Sequence, residues 1–470
     1  MAEDGSPTWA GRIRTVLAGS PRAPLVLLGN FEVENAWAKG EPGLPRIAVG
    51  ATTEIVNRMD QFALLLGCGA DHVVLKSQPD PDHLSHLAEL GFDLPRVLCP
   101  SAQDPHHTVT EDVLADPGLL RVLSGLAGTA ALWPHGISER EEAVAERTGL
   151  RLAGPSARIC KAVNGKAYSR RLTEDLGLRR PRGRVCSTVD ELLRATVRAQ
   201  EGEWRPLVLK DSYGVSGKGL LIAHDPATLT RACRMIARRA ERSGDDRLDV
   251  VLEEWVAKKA DLNYQFTLGR DGAVRFDFVR EAVTEDGVHQ GHRVPARLDE
   301  ARTGELREVS QRIGERLHDD GYFGVVGVDA MVAPDDGIYP VVEINARNNM
   351  STYQQGVIER FVPAGGVAQA GHYPVTLREF LPYSTCRELL KGLVLEPGGS
   401  EGLIVTNYAT VNAAQHRLRD SDRGDRTGRT SFDGRLYGIT VANGADRLRE
   451  LTAELAARIT AFSKGNRDER

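Results

Sequence analysis

Residues 340–349 read Pro-Val-Val-Glu-Ile-Asn-Ala-Arg-Asn-Asn. A short apolar strand at Val341-Val342 delivers Glu343 and Asn345 two positions apart, so in extended geometry both side chains emerge on one face. Two hard oxygen donors at a strand's end, followed by Arg347, suit Mg2+ together with a bound phosphate. A solvated edge strand can carry the same letters, so the assignment depends on what lies upstream. There, Asp329 interrupts the apolar run Gly324–Val332. A carboxylate in such a run must be paired, protonated or metal-bound, because burying an isolated charge is costly. The Asp336-Gly337 turn leads back toward Glu343, and a hairpin there sets Asp329 beside Glu343 and Asn345.

Lys210 closes the apolar strand Leu207–Lys210 and is followed by Asp-Ser-Tyr-Gly-Val-Ser-Gly-Lys-Gly. A lysine at the mouth of a sheet, facing a glycine-rich loop with many free N–H groups, suits the phosphates of a nucleotide. The loop is neither Gly-x-x-x-x-Gly-Lys-Ser/Thr, since Gly219 follows Lys218, nor a Rossmann glycine fingerprint. Glu253-Glu254-Trp255-Val256 ends another strand, where a carboxylate and exposed backbone groups can read the edge of an adenine. Asp261 follows eight residues after Glu253 and can accept from ribose hydroxyls. Taken singly, these last features are more often surface than site.

Strand candidates at 24–30, 46–50, 72–75 and 130–134, separated by helix-length segments, argue for a parallel α/β domain over residues 1–155. Ala153-Gly154-Pro155-Ser156 is a boundary. From 156 to 383 the expected strands are joined by hairpins, one at Gly269–Gly272, so this region reads as α+β with a mainly antiparallel sheet. Asn164 is expected to cap a helix with Tyr168, Leu172 and Leu176 on one face, stopped by Gly177. Residues 384–470 read as a small α/β unit with a strand at 402–406, a charged loop at 417–429 and a closing helix. That helix places Leu448, Leu451, Leu455 and Ile459 on one face, and Lys464–Arg470 are expected to fray.

Bulk properties exclude several classes. The net charge of −5, from 60 basic and 65 acidic residues in 470, gives no signal for nucleic acid or membrane. The six cysteines are widely spaced without a Cys-x-x-Cys pair, which argues against a zinc site or a disulfide scaffold. Residues 1–9 are polar and unlike a signal peptide, and no apolar run approaches the ~20 residues of a membrane helix. The expected compartment is the cytoplasm.

The order Lys166, Lys210, the glycine-rich 212–219, Glu253-x-x-Val256, Asp329 and Glu343-x-Asn345 resembles the ATP-grasp ligases, over about residues 20–380. Within that family, the stretch 340–356 and the tail look most like the peptide ligases of the pheganomycin type. The resemblance implies that Lys166 and Lys210, with Ser212, Gly214, Ser216 and Gly217 of the lid, hold the phosphates of ATP. It further implies Glu253 at the adenine amino group, the backbone of Glu254 and Val256 at the ring nitrogens, and Asp261 at the ribose. Asp329, Glu343 and Asn345 would bind two Mg2+ ions, and Arg347 would steady the transferred phosphoryl group. His292 and Arg293 fall where family members place groups that touch the γ-phosphate or the acid, although a solvated hairpin tip reads the same. The implied reaction joins a small carboxylic acid, amino-acid-like, to the amine of an amino acid or peptide through an acyl phosphate, as in antibiotic biosynthesis. A carboxylase component activating bicarbonate and a nucleotide-binding sensor without turnover are the rival readings. A homodimer is compatible with all three.

Overall fold

The structure is a computed structural model that describes residues 8–44, 53–201, 203–214, 219–285, 288–421 and 431–468. The strand expected at 46–50, the lid residues Ser216 and Gly217, and most of the charged loop at 417–429 lie outside the described residues.

Five short parallel strands form the first sheet: β1 (Leu25–Leu28), β2 (His72–Val74), β3 (Arg96–Leu98), β4 (Ala131–Pro134) and β5 (Arg151–Leu152), in the order β3-β2-β1-β4-β5. Helices cover both faces, so β1 and β4 are buried along their whole length. The strands at 25–28, 72–74 and 131–134 match the sequence reading. β3 and β5 escape it, being two or three residues long with arginines at their starts.

A second, four-stranded antiparallel sheet contains β6 (Gly183–Thr188), β7 (Leu207–Asp211), β8 (Leu220–Ala223) and β9 (Arg247–Glu254), ordered β6-β9-β7-β8. Helices Val189–Ala199 and Pro226–Ser243 pack their apolar faces on it, with Leu192, Leu229 and Ile236 in the shared core. The third sheet is the largest. It comprises β10 (Ala260–Leu268), β11 (Val274–Glu285), β12 (Val288–Val294), β13 (Gly324–Val332), β14 (Ile338–Asn345), β15 (Val367–Leu377), β16 (Gly402–Asn407) and β17 (Phe432–Ala442), ordered β14-β13-β10-β11-β12-β15-β17-β16. Every pairing named within it is antiparallel.

The strand at 402–406 is therefore the outer strand of the sheet that carries the site residues, reached through the eleven-residue pairing of β15 with β17. The closing helix Ala445–Asp468 packs Leu448, Leu451, Leu455 and Ile459 onto this end, as the periodicity indicates. It stays helical through Asp468 where fraying was expected. Asn164 behaves differently from the expectation too. It ends the preceding helix Ala157–Val163, its side-chain amide donating to the carbonyls of Cys160 (2.7 Å) and Ala346 (3.1 Å), and the next helix, Lys166–Asp175, is capped by Gly165. Gly177, at φ 61°, follows that helix as expected. No helix among the described residues is long and apolar enough to cross a membrane, and the six cysteines are unpaired.

Leu455 is 0% exposed in the core under β15 and β17. Leu455→Ala is expected to cost about 2–5 kcal/mol, read as a lowered denaturant midpoint with the far-ultraviolet dichroism retained. A loss well under 1 kcal/mol would show that the helix is not seated on the sheet.

Candidate active site

The site forms where three elements meet: the β13–β14 hairpin, the first turn of helix Lys166–Asp175, and the strand ends of β7 and β9. On the hairpin, Asp329 pairs directly with Glu343, and Asn345 lies opposite Gly327. This register depends on an irregularity. Past the turn, Val332 pairs with Ile338 and Met331 with Tyr339, whereas beyond the bulge Asp329 pairs with Glu343. Pro340 sits within the bulge, and proline has no N–H to give a ladder. Its carbonyl instead accepts from the Tyr264 hydroxyl (2.9 Å). Had the register continued unshifted, Val341 would stand opposite Asp329 in place of Glu343.

Asp329 accepts hydrogen bonds from the side-chain amides of Asn263 (2.8 Å) and Asn345 (3.1 Å). Burial, and then the nearby charge of Glu343, push its carboxyl up to about 6. Keeping it ionised in the fold thus costs about 3 kcal/mol relative to water, which a divalent cation between the two carboxylates would offset. Among the described residues no cluster of three His, Cys, Asp or Glu side chains is placed to hold a metal. The donor set is two carboxylates and the Asn345 amide oxygen, and it fits Mg2+, which commonly takes one or two carboxylates and completes its shell with water and substrate phosphate.

Cations face this pair. Lys166 Nζ donates to Glu343 Oε1 (2.7 Å) and to the Gly214 carbonyl (2.7 Å), so it joins the hairpin to the start of the lid. Lys210 Nζ contacts Glu253 Oε1 at 2.5 Å, and Arg170 Nη1 donates to Glu253 Oε2 at 3.1 Å. Arg170 also donates to the carbonyls of Pro181 (2.7 Å) and Gly183 (2.8 Å). Both Glu253 oxygens are thus engaged. The cleft lined by Lys166, Arg170, Arg180, Lys210, Glu253 and Met331 has about 20 Å³ of free space, room for little more than one water.

Other expected residues take more specific positions. The Ser212 hydroxyl accepts from Ala167 N–H (3.3 Å) and its carbonyl from Lys166 N–H (2.9 Å), tying the lid's base to the helix start. The Glu254 N–H donates to the Arg182 carbonyl (2.7 Å), which leaves it none to give a base, whereas Val256 lies beyond the end of β9. Asp261 contacts Lys258 (2.6 Å) and accepts from the Thr284 hydroxyl (3.1 Å). Arg347 is held by Glu34 and by Asn345 Oδ1 (2.8 Å), with its Nε buried and without a hydrogen-bond partner.

His292 is not at a hairpin tip. It lies in β12, 3% exposed, between Ser351 Oγ and Gln354 Oε1 (3.2 Å each). Ser351 in turn donates to Asn263 (2.7 Å), so His292 belongs to a buried polar chain running back from Asp329 to Arg280. Arg293 points elsewhere and pairs with Glu281 (3.1 Å).

Arg170, Arg180, Glu34 and Asn263 were missed in the sequence. Only Arg170 carried a local signal, standing one helical turn beyond Lys166 on the same face. Glu34 and Asn263 reach the site through folding alone. So does the clasp of residues 41–44 on the lid's base: Leu44 N–H donates to Asp211 Oδ1 (3.2 Å), Asp249 N–H donates to the Pro42 carbonyl (3.1 Å), and Lys161 contacts Glu41 (2.5 Å). Gly43 is required there, since a Cβ would fall 1.9 Å from Asp211 Oδ1.

Comparison with known proteins bears on the family and the fold. Residues 59–150 match the family model of the Pre ATP-grasp domain, and residues 172–352 that of the ATP-grasp domain. The chain belongs to the ATP-grasp family. Among curated relatives it is 24% identical to a [butirosin acyl-carrier protein]–L-glutamate ligase of Niallia circulans, over 66% of this chain and 68% of that one. It is 27% identical to the carbamoyl phosphate synthase large chain of Xylella fastidiosa over 43% of this chain, but that alignment spans only 18% of the relative. In fold it is similar to biotin carboxylase from Campylobacter jejuni (TM-score 0.53, 13% identity, 93% and 91% of the two chains). It is similar also to N5-carboxyaminoimidazole ribonucleotide synthetase from Thermus thermophilus (TM-score 0.51, 15% identity, 93% and 98%).

Lys210→Met should weaken binding of an ATP analogue about tenfold or more, the worth of a charge-assisted phosphate contact, with the fold intact. Calorimetry of variant and wild type checks this, and equal affinities would remove Lys210 from the nucleotide site.

Proposed function

We propose that this protein is an ATP-dependent ligase that joins a carboxylate to an amine through an acyl phosphate, releasing ADP and phosphate. The acid is an amino acid or modified amino acid, the amine that of an amino acid or peptide, and the setting is cytoplasmic secondary metabolism. The observation that carries the reading is the Asp329–Glu343–Asn345 set facing Lys166 across one cleft, with Lys210 at its other wall. Support comes from the ATP-grasp family itself and from the relative whose name describes ligation of glutamate to a carrier protein.

The parts account for the chemistry. A carboxylate is a poor electrophile until its oxygen is phosphorylated. In this reading its oxygen attacks the γ-phosphorus of ATP and the bond to the β–γ bridging oxygen breaks, leaving ADP. The amine then adds to the acyl carbon, loses its proton to solvent or phosphate, and phosphate departs. Lys166 and Lys210 hold the phosphates, and Arg347, beside Asn345, compensates charge on the transferred group. When bound by Asp329, Glu343 and Asn345, Mg2+ would supply charge neutralisation along the polyphosphate. The glycine-rich lid excludes water from the acyl phosphate. No nucleophilic side chain is required. The narrower likeness to pheganomycin-type ligases belongs to this same proposal. The fold likeness to carboxylases, at 13–15% identity, bears on the fold alone.

Incubation with ATP, Mg2+, a panel of amino and guanidino acids and a mixture of short peptides should yield ADP and a new amide mass. Hydroxylamine should divert the intermediate to a hydroxamate. AMP in place of ADP would contradict the mechanism, and ADP formation that requires bicarbonate but no amine would favour a carboxylase. Glu343→Gln should lower turnover at least a hundredfold while nucleotide affinity falls much less, because Lys166 and Lys210 remain. Wild-type turnover in that variant would remove Glu343 from the reaction.

A further inference from the structure

Away from the nucleotide cleft, a cavity of about 210 Å³ opens between the first sheet and the C-terminal segment, room for several waters. It is lined by Glu54, Asn57, Arg58, Gln103, His416 and, from below, Lys76. Its floor lies just past the carboxyl ends of β2 and β3, where open α/β sheets receive ligands. The cleft that holds Lys210 has about a tenth of this free space.

Two buried acceptors in the lining have no hydrogen-bond partner among the described residues. Asn57, 3% exposed, spends its amide N–H on the His107 carbonyl (3.0 Å), which fixes the amide's orientation and leaves Oδ1 free. Glu54, 8% exposed, gives Oε1 to Arg417 (2.9 Å from Nε, 2.5 Å from Nη2) and leaves Oε2 free. Buried polar atoms seldom stay unpaired, and two acceptors side by side call for a donor with several N–H groups. Among the described residues no neighbour supplies it. Lys76 has already placed its three protons on the Asp104 and His107 carbonyls (2.8 and 2.7 Å) and on Asp112 (2.5 Å).

The charged groups set the polarity of a ligand. Lys76 is matched by Asp112 and Arg417 by Glu54. Arg58, partly exposed at the cavity wall, feels the buried Asp60 carboxylate but gives its side-chain hydrogen bonds to the neutral Ser77 and Gln103, and His416 stands nearby, 3.8 Å from Glu54. A ligand that fills the cavity therefore presents an ammonium to Glu54 and Asn57 and a carboxylate to Arg58 and His416. We propose that this cavity binds a free amino acid at a site separate from the nucleotide cleft.

The two sites share no lining residue. Beyond Arg58, Phe62 packs against Phe31 and Tyr353 (centroids 5.7 and 6.0 Å), and Phe31 stacks on His135 (4.2 Å), the ring that feels the charge of Arg347. The bound amino acid is thus not the amine attacking the acyl phosphate but a second, non-reacting molecule. The 3₁₀ helix Met59–Leu66 that follows Arg58 packs on helix Met350–Phe361, just beyond Arg347, so occupancy touches the element that begins at the site. The inference stands on this cavity and not on the ligase reading, because it is tested without nucleotide.

The full chain, free of nucleotide, is titrated with each proteinogenic amino acid by thermal shift, and binders are measured by calorimetry. At least one should bind saturably, and its N-acetyl and carboxamide derivatives should each bind about tenfold or more weakly. Glu54→Gln and Arg58→Gln should lower affinity to a similar degree while basal ATP turnover stays unchanged. Ala413→Leu, which fills the cavity wall without touching a charge, should also abolish binding. No binding by any amino acid, affinity unchanged in all three variants, or displacement by an ATP analogue would each overturn the proposal. Inorganic phosphate binding as tightly as the amino acid would do so as well.

Discussion

The arrangement at the heart of this protein depends on a two-residue shift of register at Pro340. Asp329 faces Glu343 only because the β13–β14 ladder cannot run straight through a residue that lacks an N–H. Burial first, and then the charge of neighbouring Glu343, push the Asp329 carboxyl up to about 6. The fold offsets this with Lys166 on Glu343 and with amides on Asp329, an arrangement that a cation and phosphates can replace. The hairpin is thus built around a charge imbalance that a ligand resolves.

Opposed charges recur in the cleft around Lys210. Lys210, Glu253 and Arg170 satisfy one another in a confined space, so any ligand that contacts them competes with an existing ion pair. Desolvated pairs of this kind add little net stability. What they do is hold cationic groups in place without a ligand, at the cost of breaking one pair on binding. The clasp of residues 41–44 against Asp211 ties the N-terminal segment to the end of β7.

Much of this was legible in the sequence. Runs such as Gly324–Val332 and Leu207–Lys210 announced buried strands, the glycine turns announced hairpins, and the acidic residues at strand ends marked a site. What local pattern could not reveal was partnership over distance. Glu34 meets Arg347 across more than three hundred residues of chain, and Asn263 reaches Asp329 from a neighbouring strand. His292 looked like an exposed group near substrate, but a strand pairing between β12 and β15 buries it behind the carboxylates. The C-terminal strand at 402–406 was seen, yet not that β15 and β17 would carry it onto the same sheet. Asn164 misled because asparagine serves either end of a helix, and here its amide donates where a cap would accept.

In the proposed ligase, Asp329, Glu343 and Asn345 together hold a divalent cation against nucleotide phosphates. Electron paramagnetic resonance of Mn2+ with a non-hydrolysable ATP analogue tests it without knowledge of either organic substrate. Mn2+ should bind the wild-type protein tightly only when the analogue is present, and should lose that binding in Glu343→Gln while the variant remains folded. Identical Mn2+ spectra and affinities in the two proteins would contradict it.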